Sequence, residues 1–206
     1  MKLRLVVVLI VAGAVFTFLG GRGLLVNILP ATDIYDQECD WTKLHKNQRV
    51  HVKLDFVIEP FEETTDEDNR SVSQIYTIPD LKSDEDGYVN MVHYMGIVVN
   101  PKDYAAYDKL VDDSWDWWDG EYDQLGERGY IEVDGYLRKM SSKEEGFLRD
   151  YLKDWNYSDS EIEEAVVPYV LMKNQTPIAN IAMFGGGIIA FLAGILVAVL
   201  SLILKK

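Results

Sequence analysis

The sequence is poor in the residues on which most protein chemistry depends. Its 206 residues hold one cysteine, Cys39, and three histidines, His45, His51 and His93. A single thiol excludes an intramolecular disulfide framework and any site built from several thiolates. Cys39 lies between Glu38 and Asp40, and neighbouring acids raise a thiol pKa and disfavour a nucleophile. Basic residues are scarce as well: 20 Lys and Arg stand against 34 Asp and Glu, a net charge of −14 with no basic cluster. Phosphate backbones need positive surface, so nucleic acid is excluded as a partner. H-E-x-x-H, G-x-S-x-G, Walker and dinucleotide motifs are all missing, so no catalytic residue, metal ligand or cofactor is assigned.

What the sequence does have is two apolar ends. Leu5–Gly21 carries no charge until Arg22. At 1.5 Å per residue this run makes about 25 Å of helix, and Leu24–Val26 extend it toward a hydrocarbon core of about 30 Å. A signal peptide opens similarly, but no A-x-A-like site follows and the run exceeds the usual core of about 7–15 residues. An uncleaved anchor over 1–26 is expected. From Ile181 to Leu204 the chain is again uncharged, closed by Lys205 and Lys206, and 177–206 is expected to be a second span of about 36 Å. Lys2, Arg4, Lys205 and Lys206 flank the outer ends, which predicts a two-pass protein of the cell membrane with cytoplasmic termini and an extracytoplasmic middle. Between the spans, 16 basic residues face all 34 acidic ones, a net −18.

Small residues recur on both spans. Ala182, Gly186, Ala190, Gly194 and Ala198 repeat every four residues, as do Gly13, Thr17 and Gly21. Such stripes let helices approach closely, so the two spans are expected to pack on each other, on a second copy or on another membrane protein.

A juxtamembrane linker over 27–48 then leads into an acidic α+β domain over 49–176. Val50, Val52, Leu54, Phe56 and Ile58 alternate with polar positions and predict a strand over Arg49–Ile58, followed by strands over Ser71–Ile78 and Tyr88–Val99. The acidic stretches Glu62–Arg70 and Asp80–Gly87 read as loops. Asn100-Pro101 opens a helix whose apolar stripe is Tyr104, Tyr107, Val111, Trp115 and Trp118. A strand over Tyr130–Met140 follows. Ser141 and Ser158, each three residues before a Glu, mark two more helix starts, and Pro168–Met172 is a last strand. The order β-β-β-α-β-α-α-β puts a helix between the third and fourth strands, as in the five-stranded oligonucleotide/oligosaccharide-binding (OB) barrel. An OB-like barrel with a two-helix insertion is the expectation.

Two terminal spans around a small strand-rich domain, with Tyr94-Met95-Gly96-Ile97-Val98-Val99 and Val133-Asp134-Gly135-Tyr136-Leu137, resemble an uncharacterised family of membrane-anchored proteins of Gram-positive bacteria. The resemblance implies an extracytoplasmic domain and no particular activity. A disulfide-free ectodomain suits that setting.

The densest chemical feature is Asp112–Asp123, with six carboxylates and four aromatics. Trp and Tyr faces stack on sugars or hold cations, and carboxylates accept hydrogen bonds from hydroxyls. The blander reading continues the helix stripe through Trp115 and Trp118, with the acids in water. Trp117 falls off that stripe, so Trp117, Asp116, Asp119 and Tyr122 are the candidate ligand-binding residues. The expected function is a non-enzymatic binding or scaffold module acting with a membrane or envelope partner. A cell-envelope glycan hydrolase and a cation-responsive sensor using 112–123 are the alternatives.

Overall fold

Apolar runs with two different periods build two units, a helical pair over Met1–Pro30 with Asn174–Lys206 and a mixed α+β domain over Ala31–Lys173. The structure is a computed structural model that describes residues 2–28, 30–36, 38–121, 123–174 and 177–203. In chain order the elements are α1 (Lys2–Ile28), β1 (Thr32–Asp33), β2 (Arg49–Leu54), β3 (Ile58–Thr65), β4 (Ser71–Ser83), β5 (Val89–Val99), α2 (Tyr104–Trp118), β6 (Ile131–Lys139), α3 (Ser142–Asp154), α4 (Asp159–Ala165), β7 (Val166–Lys173) and α5 (Pro177–Ile203).

The seven strands form one sheet in the order β1-β2-β6-β7-β5-β4-β3. The β1–β2 and β5–β7 ladders are parallel and the others antiparallel. The sheet is open, with β1 and β3 at its edges, so the ladders do not form the closed barrel expected from the sequence. The reason lies at Asp55-Phe56-Val57, which interrupts the single strand expected over Arg49–Ile58. Phe56 and Val57 are fully buried, and the Val57 amide donates to Ser114 Oγ of α2 (2.9 Å) rather than to a strand. Yet β2 and β3 are five strand spacings apart in the sheet, about 24 Å if it were flat. The four residue steps from Leu54 to Ile58 reach at most about 14 Å. The sheet is therefore strongly coiled.

Three further expectations change. β3 runs to Thr65 and β4 to Ser83, so parts of both acidic stretches are strand, held by ladders to their neighbours. β4 passes through Pro79, opposite Tyr94, and buries Asp80 beside His93 Nδ1 (3.1 Å) and Lys82 Nζ (3.2 Å). The expected linker over 27–48 is largely domain: Ile34, Trp41 and Leu44 are buried, and Trp41 Nε1 donates to the Ile34 carbonyl (2.7 Å).

Two apolar clusters flank the sheet. One gathers Val52, Tyr76, Ile97, Val133 and Leu171 with Tyr107, Leu110 and Val111 of α2. The other gathers Ile58, Ile75, Tyr94 and Val170 with Leu148 and Leu152 of α3 and Ile162 of α4. Both inserted helices open on the expected capping boxes, Ser141 with Glu144 and Ser158 with Glu161, which satisfy otherwise orphaned amides.

The helical pair meets at glycines, at Gly13 and Gly194 of the two four-residue stripes and at Gly20 and Gly187 off them. A Cβ on Gly13 would lie 2.8 Å from Phe191 Cα, one on Gly20 2.8 Å from the Asn180 carbonyl, one on Gly187 2.9 Å from the Gly13 carbonyl, and one on Gly194 2.7 Å from Ile10 Cγ1. These contacts run antiparallel. A Cβ on Gly186 would meet nothing within 4 Å, and one on Gly21 only the Phe184 ring. Ala182 and Gly186 are exposed, while Ala190 and Ala198 are half-buried. Thr17 is half-buried and its hydroxyl donates to the Gly13 carbonyl (2.8 Å). A four-residue step overshoots a helical turn by about 40° and drifts around the helix. Alternating steps of three and four, as at Asn180, Phe184, Gly187, Phe191 and Gly194, hold a straight seam. Among the described residues, Asn180–Ser201, with mean hydropathy 2.5, is long and apolar enough to cross a membrane, and Val6–Gly21 is a shorter apolar run.

Candidate aromatic binding site

The aromatic-rich end of α2 begins with its packing. Tyr107, Leu110 and Val111 bury one face in the sheet, and Ser114 turns inward, donating to the Leu110 carbonyl (2.6 Å) while accepting from Val57. The helix stops at Asp119-Gly120, where Gly120 takes φ +81°, a left-handed conformation that glycine adopts without strain. Three tryptophans on the last turn surround the buried Phe56 ring edge-on: Trp115 at 6.2 Å, Trp117 at 5.8 Å and Trp118 at 6.0 Å.

Beside them lies a pocket of about 280 Å³ lined by Asn90, Met91, Tyr94, Trp115, Trp118, Trp155 and Tyr157. Three separate pieces of chain supply it: the start of β5, the end of α2, and the α3–α4 junction. Trp115 and Trp155 are tilted at 5.7 Å. Tyr94 and Tyr157 meet edge-on at 5.9 Å, and their hydroxyls share a 2.7 Å hydrogen bond. Burial, reinforced by that bond, pushes the Tyr94 hydroxyl pKa well up, so it stays neutral. Glu59 accepts from the Trp115 indole Nε1 (2.9 Å) and from the Tyr151 hydroxyl (3.0 Å). Burial, reinforced by Glu59, keeps that hydroxyl protonated as well.

The residues singled out by sequence fare differently. Trp117 is half-buried against Phe56 and Trp118 and does not line the pocket. Trp118, assigned to the buried stripe, is 39% exposed and forms a wall. Both rings pack against Phe56, but Trp117 is the more buried of the two and Trp118 the more exposed. Asp116 is ion-paired to Arg128, which also lies 3.8 Å from Asp113 and from Glu121. Asp113 in turn pairs with Lys109. Asp119 caps α2 and is exposed. Tyr122 lies outside the described residues. Arg128 thus lies against three of the six carboxylates, and no carboxylate lines the aromatic pocket.

The other acidic stretches spend their side chains on their own turns. Asp66 accepts from the amides of Asp68 and Arg70 (both 2.9 Å), and Asp84 from those of Asp86 (3.0 Å) and Tyr88 (2.8 Å). Among the described residues no group of three His, Cys, Asp or Glu side chains is arranged to hold a metal ion.

Sequence reasoning missed Asn90, Met91, Tyr94, Trp155 and Tyr157. Trp155 was legible as part of an apolar helix stripe, but nothing in its spacing tied it to α2.

An acidic α+β domain with an aromatic pocket, on a chain that also carries a pair of long apolar helices, is the class of protein that these features define. A family model described as a domain of unknown function (DUF8577) matches residues 1–204, and the chain belongs to that family. No curated protein and no solved structure matches it.

Proposed function

We propose that this protein is a membrane-anchored, non-enzymatic binding module. α1 and α5 both span the cell membrane, both termini are cytoplasmic, and the acidic domain works on the outer side, in a Gram-positive envelope, with a membrane or envelope partner. The observation that carries the reading is the surface of the helical pair. Val7, Val11, Val15 and Phe18 of α1 and Ile181, Ile189, Leu192 and Leu196 of α5 are all exposed, while the seam between the helices is built from glycine. A soluble protein rarely presents that much apolar surface, and lipid is the medium that suits it. The basic residues at the outer ends of the chain support the orientation. The pocket supports binding rather than catalysis, because its lining residues include no acid, base or nucleophile apart from the Tyr94 and Tyr157 hydroxyls, which bond each other.

We further propose that the domain is OB-like. β2 and β3 are consecutive and separated by three residues, and they pair with β6 and β4 respectively. Counted as one broken strand, they make the ladder order cyclic, with α2 between the third and fourth strands. That is the plan of a partly open OB barrel.

The test is topological. Membranes from cells expressing the full chain are washed with alkaline carbonate, and single cysteines at Lys2, Asp123 and Lys206, in a Cys39→Ser background, are probed with an impermeant maleimide. Retention in the membrane and labelling only at position 123 are expected. Release by carbonate sinks the anchor, and labelling only at 2 and 206 inverts the orientation.

A further inference from the structure

We propose that the aromatic pocket of the domain binds a quaternary ammonium group, the trimethylammonium head of an organic cation. The inference deepens the binding-module reading, on which it rests, by naming the ligand class.

Five of the seven lining side chains are aromatic, Tyr94, Trp115, Trp118, Trp155 and Tyr157, and the other two, Asn90 and Met91, are uncharged. Aromatic faces carry negative charge density and attract cations, tryptophan most strongly. Two helix ends add to that field. Trp118 is the last residue of α2, and Trp155 is the C-cap of α3. The C-terminal ends of helices of 15 and 13 residues, each carrying partial negative charge, therefore meet at this pocket. Glu59 strengthens the effect, since an indole that donates its N–H to a carboxylate, here at 2.9 Å, has a more electron-rich face.

The same walls reject other ligands. No basic side chain lines the pocket. The cations on α3 are directed elsewhere, Lys143 to Glu62 (3.9 Å), Lys153 to Asp159 (3.4 Å) and Arg149 to Glu145 (3.2 Å) and Glu163 (2.9 Å). An anion therefore has no partner. No carboxylate lines the pocket either, so a metal ion or a bare ammonium, which must replace its lost water with oxygen ligands, is not served. A methylated cation has no hydrogen bonds to satisfy. A sugar needs polar groups converging on its hydroxyls, but the Tyr94 and Tyr157 hydroxyls bond each other. The volume of about 280 Å³ is at the small end of ligand sites, which run from about 300 to 1,000 Å³, and suits a headgroup rather than a chain of sugars.

The experiment uses the full chain in nanodiscs of phosphatidylglycerol. Tetramethylammonium chloride, choline chloride, ammonium chloride and sodium chloride are titrated at constant ionic strength, with binding followed by tryptophan fluorescence and calorimetry. Saturable responses to tetramethylammonium and choline, and none to ammonium or sodium, are expected. Trp118→Ala, at a partly exposed ring, is expected to weaken the response about tenfold, and Trp118→Phe to restore most of it. Nanodiscs containing phosphatidylcholine separate the two sources of the group: competition with tetramethylammonium identifies a lipid headgroup, and an unchanged titration identifies a free solute. Absence of a saturable response in folded wild-type protein, or full binding by Trp118→Ala, overturns the proposal. Saturable binding of an N-acetylglucosamine oligomer without any of tetramethylammonium also overturns it, but leaves the binding-module reading intact. That broader reading fails separately, in the carbonate and labelling experiment.

Discussion

Arg138 of β6 reaches Glu144 of α3 with both terminal nitrogens, at 2.9 and 2.6 Å, while Glu144 completes the capping box at Ser141. One carboxylate therefore starts a helix and pins it to the sheet. The Arg138 hydrogen bonds hold the Glu144 pKa down at about 2, below an unfolded value of about 4.3. A lowered folded-state pKa stabilises the fold above the unfolded value, and that stabilisation is lost as pH falls through about 2. Glu144→Gln is expected to cost about 1–2 kcal/mol at pH 7 and nearly nothing at pH 2, measured by urea unfolding of the full chain in detergent. Its neighbour Glu62 has the opposite sign. Burial, with repulsion from Glu144, pushes its pKa up, and its Oε2 is buried without a hydrogen-bond partner. A raised carboxyl pKa favours the fold at low pH and costs stability once pH exceeds the unfolded value. Glu62→Gln is therefore expected to raise stability at pH 7 by about 1 kcal/mol, and a loss in the same unfolding assay would refute this.

At the scale of elements, the helical pair makes the sharpest distinction. Gly186 and Gly187 are adjacent and chemically identical, but only Gly187 faces the partner helix, where a Cβ would collide with the Thr17 backbone. Cysteines at Leu9 and Gly194 provide the readout, since a Cβ at Gly194 lies 3.2 Å from the Leu9 Cβ and disulfides span about 3.5–4.5 Å between Cβ atoms. In a Cys39→Ser background this pair is expected to crosslink efficiently. Gly187→Leu is expected to cut the yield about tenfold, and Gly186→Leu to leave it unchanged. A larger loss at Gly186 than at Gly187 would mean that the four-residue stripe, not the three–four seam, is the interface. The α3 and α4 starts are also element-scale facts, and they were readable because a capping box is local: Ser141 needs only Glu144.

Across the whole molecule, charge is the dominant imbalance. Ala31–Lys173 holds all 34 acidic residues and 15 basic ones, and a domain so far from neutrality repels itself. Salt shortens the screening length from about 10 Å at 0.1 M to about 3 Å at 1 M. The unfolding midpoint of the full chain is expected to rise by about 3 °C between these concentrations of sodium chloride, read by circular dichroism. A fall would show that ion pairs such as Arg128 with Asp116 outweigh the repulsion.

The sequence by itself determined what depends on neighbours in the chain. Period-two alternation marked the core of β2, apolar spacing marked α2, serine caps marked α3 and α4, and two charge-free runs marked α1 and α5. The mixed α+β class was legible from that order. Tertiary structure decided what depends on residues far apart. The break at Phe56 arises because α2 supplies Ser114 to the Val57 amide, which local alternation cannot report. Trp117 and Trp118 differ from the roles that periodicity assigned, because burial on the last turn depends on the Phe56 ring, which comes from a distant part of the chain. Which glycines form the seam is set by the partner helix, which meets Gly187 and not its neighbour Gly186. The pocket joins Asn90, Met91 and Tyr94 to Trp115 and Trp118 and to Trp155 and Tyr157, and a cavity exists only where separate surfaces fail to fill the space between them.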